Sequence, residues 1–179
     1  MATSITGQTR RGLAAAAGLL ATALAGMVHI PAAQAAAPQW KSERGIVLEC
    51  SGDAHGLQIW TSVYENQRYG NTVQVVIGDP DEGNGRSKNT DDEFVVDGVV
   101  KATVKVDGAR ALIEGVVQRH GARTRVYDEY EDAGFLIKTR GYHRQLLTDM
   151  GARYAGKSVP LACDTAFVYD LEVKKIPIT

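Results

Sequence analysis

The stretch Val99-Val100-Lys101-Ala102-Thr103-Val104-Lys105-Val106-Asp107-Gly108-Ala109-Arg110-Ala111-Leu112-Ile113-Glu114-Gly115 carries the reading of the fold. Val100, Ala102, Val104 and Val106 alternate with Lys101, Thr103 and Lys105, the period of a strand with one buried face. Asp107-Gly108 follows, a preferred dipeptide of the two-residue type I′ hairpin. That turn sets Val106 opposite Ala109, Val104 opposite Ala111, Ala102 opposite Ile113 and Val100 opposite Gly115. All eight are apolar or Gly. On the other face Lys101 falls across from Glu114, an opposite-charge pair. A slip of one residue would carry every apolar side chain to the wrong face.

Working outward, His120-Gly121 and Ala133-Gly134 are read as the next two reversals. The first sets Arg119 against Ala122, Val117 against Thr124 and Gly115 against Val126. The second sets Asp132 against Phe135, Tyr130 against Ile137 and Asp128 against Thr139, with Glu129 across from Lys138. The result is a four-strand meander over 99–146. Upstream, alternation or short apolar runs mark strands near 44–51, 56–65, 71–78 and 93–106, with Gly98 read as a bend in the last. Downstream, Leu146, Leu147, Met150 and Tyr154 could share one side of a short helix within 144–157. A long terminal strand follows over 162–174, with Cys163, Thr165, Phe167, Tyr169, Leu171 and Val173 on one face.

Short turns favour antiparallel neighbours. Cys50 and Cys163 are the only cysteines, 113 positions apart. Paired, they would tie the first strand to the last and stabilise the fold by roughly 2–4 kcal/mol. An antiparallel sheet whose ends meet is a barrel, which leaves no open edge. The expected fold is therefore all-β, an antiparallel up-and-down β-barrel of about eight strands with one short helix before the last strand. A two-sheet β-sandwich is the alternative, since the same bridge could cross between sheets.

The first 35 residues read as a cleaved signal peptide. Arg10 and Arg11 form a basic start, Gly12 to Ile30 is uncharged, and Ala33-Gln34-Ala35 offers a small-x-small cleavage site. Thr9-Arg10-Arg11-Gly12-Leu13 also resembles the start of a twin-arginine signal, which leaves the export route open. The expected product is a single secreted or extracytoplasmic domain, 36–179, in a compartment where disulfides persist. No later segment is apolar over the length of a membrane-spanning helix.

The whole chain has 179 residues, 44% hydrophobic, with 20 Lys+Arg against 21 Asp+Glu. That composition suits one folded domain. Removal of Arg10 and Arg11 takes Lys+Arg from 20 to 18 against 21 Asp+Glu, a formal charge of −3. A mildly acidic domain has no electrostatic reason to seek nucleic acid. No nucleophile elbow, zinc-binding His-Glu-x-x-His or Cys-x-x-Cys occurs, and nothing implies a cofactor.

The meander register places Asp128, Tyr130, Thr139 and His143 on the same face as Val126, Ile113 and Ile137, read as the barrel interior. Ala102, Ala109, Ala111 and Gly115 would leave room beside them. Polar groups converging in a partly apolar cavity suit a small apolar or amphipathic ligand. The same residues could also only line a wet barrel mouth, or Asp128 and His143 could satisfy one another as a buried pair. The second functional reading is a small hydrolase or isomerase using Asp128 and His143. The turn-rich segment 78–93 could contact a protein partner. Its Asp79, Asp81 and Glu82 would suit a calcium ion, but the spacing departs from an EF-hand, with Asn84 at the glycine position. A solvated acidic loop is the plainer reading.

Overall fold

Ten antiparallel strands follow one another in the computed structural model, which describes residues 37–81 and 83–178. They are β1 (Lys41–Ala54), β2 (Leu57–Asn66), β3 (Gly70–Ile77), β4 (Asn84–Thr90), β5 (Val95–Val96), β6 (Val99–Val106), β7 (Ala109–Arg119), β8 (Thr124–Asp132), β9 (Phe135–Tyr154) and β10 (Lys157–Pro177). The expected signal peptide and Glu82 lie outside the described residues.

The hairpin that decided the reading is present in the expected register, from Val106 opposite Ala109 to Val100 opposite Gly115. Asp107 and Gly108 both have positive φ, 48° and 81°, as a type I′ turn requires. The same sign pattern recurs at His55-Gly56, Asp97-Gly98, Ala133-Gly134 and Ala155-Gly156. The Ala133-Gly134 turn sets Asp128 opposite Thr139 and Tyr130 opposite Ile137. Glu129 and Lys138 form an ion pair at 2.7 Å.

The sheet order is β4-β3-β2-β1-β10-β9-β7-β6-β5, with β8 also on β9. This is one open ten-stranded antiparallel sheet, and it corrects the expectation of an eight-stranded barrel or a two-sheet sandwich. The bridge from Cys50 to Cys163 forms, and β1 does pair β10 along its length. That seam lies in the middle of the sheet, however, and the ring stays open between β4 and β5. Glu65 on β2 reaches to the start of β5, where its side chain accepts the backbone N–H groups of Phe94 and Val95. Asn71 on β3 donates to the carbonyls of Asp91 and Asp92.

The sheet nevertheless rolls, bringing β6 against β3 and β4. Leu48, Ile59, Val63, Val73, Val75, Val100, Val106 and Ile113 are fully buried in the resulting core. Burial of such a set is the main term favouring the fold, at about 25 cal/mol per Å² of apolar surface.

Two further expectations are corrected. Residues 144–157 form the end of β9, the Ala155-Gly156 turn and the start of β10. No helix occurs among the described residues, and so none that could cross a membrane. Leu146, Met150 and Tyr154 recur every four residues, a spacing that serves a helix face and a strand face alike. Leu147, the fourth member of the supposed helix, points to solvent at 54% exposure. The second correction concerns His120-Gly121, where the chain does not reverse. β7 and β8 run end to end along the same edge of β9, Leu112–Arg119 against Leu146–Arg153 and Thr124–Asp132 against Phe135–His143. The N–H of His120 donates to the Gln145 carbonyl at 2.8 Å, so the interruption stays attached to β9.

Candidate functional site

The end-to-end arrangement of β7 and β8 changes which face each residue occupies. On β9 the core takes Leu146, Met150 and Ala152, at even positions, yet Ile137 and Thr139, at odd positions, are the buried residues of its first half. Successive strand residues point to opposite faces. Asp128, Tyr130, Thr139 and Ile137 therefore lie across the sheet from Ile113, and their placement inside a barrel with it is corrected.

Asp128, Tyr130 and Thr139 still come together. They line a groove of ≈ 440 Å³ with Val126, Asp132 and Ile137, also from β8 and β9, and with Phe167, Tyr169, Leu171, Val173 and Lys175 of β10. Glu43 and Val47 of β1, Tyr64 of β2 and Tyr69 of the β2–β3 turn complete it. Alternation builds this surface strand by strand, since Val47 sits opposite both Phe167 and Tyr64, and Val173 opposite Thr139. His143 sits opposite Tyr169 and Thr124, with its ring 5.5 Å from that of Phe167, but it does not line the groove and instead borders a separate hollow beside Arg119, Arg123 and Arg144. Asp128 accepts a hydrogen bond from the N–H of Glu129. It is four residues from His143 along β9 by register, roughly 13 Å at strand rise, and the expected Asp128–His143 pair does not form.

One end of the groove is held by a polar knot. The two hydrogens of the Asn66 amide nitrogen are shared among the hydroxyls of Tyr64 and Tyr169, at 2.8 and 3.0 Å, and the Glu43 carboxylate, at 3.3 Å. The Asn66 side-chain carbonyl oxygen accepts the N–H groups of Arg68 and Tyr69, which fixes the turn carrying Tyr69. Tyr169 donates to the Glu65 carbonyl at 3.0 Å. That reach depends on Gly45, where a Cβ would lie 2.6 Å from the Tyr169 hydroxyl and collide with the Glu65 carbonyl. Burial, then the Tyr64 hydroxyl, push the Tyr169 phenol well above its ordinary value. Burial, then the Glu43 carboxylate, raise Tyr69. Both phenols therefore stay neutral donors at ordinary pH.

Among the described residues the groove thus has an apolar floor, phenols at one end, and three carboxylates, Glu43, Asp128 and Asp132, against the single cation Lys175. Sequence reasoning missed its β1, β2 and β10 walls. The Phe167-to-Val173 alternation was visible, but nothing local tells which side of the sheet it joins.

Segment 78–93 is partly a strand, β4. Asp79 accepts the N–H of Asp81 at 2.8 Å, a local turn, and no group of acidic, His or Cys residues suited to a metal occurs among the described residues.

No family model and no curated protein matches the chain. Among solved structures it is similar to one described as an AttH from Nitrosomonas europaea, at 10% identity and a TM-score of 0.31. The match covers 78% of this chain and 52% of that one, so the chain spans about half of that protein's length.

Proposed function

We propose that this all-β domain is a secreted, non-catalytic binding module holding a small amphipathic ligand in the groove. The carrying observation is the groove itself, ≈ 440 Å³, within the size range of small-ligand sites. Its apolar floor suits an alkyl or aromatic body. Its excess of carboxylates suits a head that is cationic or donates hydrogen bonds. Export is supported by the reading of residues 1–35 and by the disulfide. Contact with a partner through the 78–93 segment has less support. Its strand is an edge carrying Arg86 and Lys88, the kind of charged edge that discourages added strands.

The test is native mass spectrometry after incubation with a mixture of apolar and amphipathic compounds. We expect a retained amphipathic species, bound at least tenfold more weakly by Phe167→Ala, a loss of about 1.4 kcal/mol. Failure to retain any compound, or retention unaffected by Phe167→Ala and Ile137→Asp alike, would overturn the reading.

A further inference from the structure

We propose that the opposite face of the same strands carries a second site, for a phosphate- or sulfate-class oxyanion group. A hollow of ≈ 390 Å³ there is lined by Arg44, Arg119, Arg123 and Arg144, with Tyr142 and Val168 beside them. Asp170 is the only carboxylate in its lining among the described residues. Four guanidinium groups in one concavity are unexpected in a chain whose formal charge is −1.

The break between β7 and β8 creates the cluster. Arg119 ends β7 and Arg123 precedes β8, so the interruption sets them at its two ends, beside the Arg144 of β9. Two of the four are oriented by bonds through Nε. Arg144 donates Nε–H to the Gly121 carbonyl at 2.9 Å, and Arg44 donates Nε–H to Asp170 at 3.1 Å. These bonds leave the terminal nitrogens of both groups available for a fork onto oxyanion oxygens. Arg119, Arg123 and Arg144 have no carboxylate within ion-pair distance among the described residues. Nearby Arg140 shows the contrast, being committed to Glu172 at 2.7 Å and to the Trp40 ring at 4.1 Å. Four guanidinium groups facing one carboxylate, itself bonded to Arg44, repel one another, and an oxyanion seated among them relieves that repulsion.

The test is calorimetric titration of the purified protein with inorganic pyrophosphate at low and at physiological salt, with acetate as a monovalent control. We expect saturable pyrophosphate binding that weakens with salt and exceeds that of acetate. The Arg123→Gln/Arg144→Gln protein should bind at least tenfold more weakly. An Arg86→Gln/Lys88→Gln protein, with the same charge change on β4, should bind like the parent. No binding at millimolar pyrophosphate, or equal weakening in both double variants, would overturn the site. Co-sedimentation with phosphatidylglycerol vesicles then separates the sources of the group. Sedimentation reversed by pyrophosphate assigns it to a lipid headgroup, and absence of sedimentation assigns it to a soluble phosphate or sulfate.

Discussion

Compare the two halves of β9. Residues 146–153 pair with β7 and turn Leu146, Met150 and Ala152 into the rolled core. Residues 135–143 pair with β8 and bury Ile137 and Thr139 on the opposite face, while Phe135 and Tyr142 stay exposed. One uninterrupted strand therefore serves two interiors. Where the sheet curls back on itself, one face is enclosed by the sheet's own far side. Where it does not, both faces remain open to binding, one as an acidic aromatic groove and the other as an arginine hollow. Alternation fixes which residues share a face, and the curvature of the sheet decides which face is enclosed.

The largest expected effect breaks the symmetry between the halves directly. Ile113 is fully buried in the rolled core, and Ile137 is nearly as buried, at 5% exposure, in the groove. Ile113→Ala should cost about 2–5 kcal/mol, because packed neighbours on all sides leave a cavity. Ile137→Ala should fall at or below the bottom of that range, because the groove is open to water and can relax. Urea denaturation of both variants checks this, and equal costs would mean that the two interiors are equally packed.

A somewhat smaller effect is expected at the junction of the halves. The ladder between β1 and β10 slips at Glu49/Cys50, and that between β10 and β9 slips between Leu161 and Phe167. The Cys50–Cys163 bridge lies at these irregularities. Replacing both cysteines by Ser should cost about 2–4 kcal/mol. Amide exchange should accelerate first around 161–167, where the backbone ladder is weakest, rather than uniformly.

Much of this was legible locally. The Val100-to-Gly115 pairing followed from alternation and Asp107-Gly108 alone, and Ala133-Gly134 gave the β8–β9 register in the same way. The errors of face share one cause. His120-Gly121 carries the same turn signal, yet here Gly121 alone has positive φ. Whether such a site reverses the chain depends on a partner strand long enough to hold both arms, and β9 supplies it, pairing Leu146 with Arg119 and His143 with Thr124. Reading a reversal there put the faces of β7 and β8 on the wrong side of one another. Asp128, Tyr130 and Thr139 line one groove, on the face away from Ile113, and His143 falls outside it. The barrel expectation fails elsewhere, because the Cys50–Cys163 seam lies in the middle of the sheet and its two ends, β4 and β5, stay unpaired.

The Glu65 bonds to Phe94 and Val95, near that open edge, give the smallest of the expected effects. Glu65 has its pKa raised above the ordinary 4.5, chiefly by burial. The Val95 and Phe94 N–H groups pull it down, and Glu93 adds to the rise. The folded protein therefore keeps this proton at a pH where the unfolded chain has lost it. By linkage, the contribution to stability is complete below pH 4.5 and declines as pH rises through the folded value. Glu65→Gln keeps the acceptor oxygen for Phe94 and Val95 but cannot titrate. The stability of the parent protein minus that of the variant should accordingly fall with pH just above 4.5 and then level off. A difference that rises with pH over that window would mean that the two N–H bonds outweigh burial. The start of β5 would then be held by an ionised carboxylate, as a charge-assisted clasp instead of a neutral one.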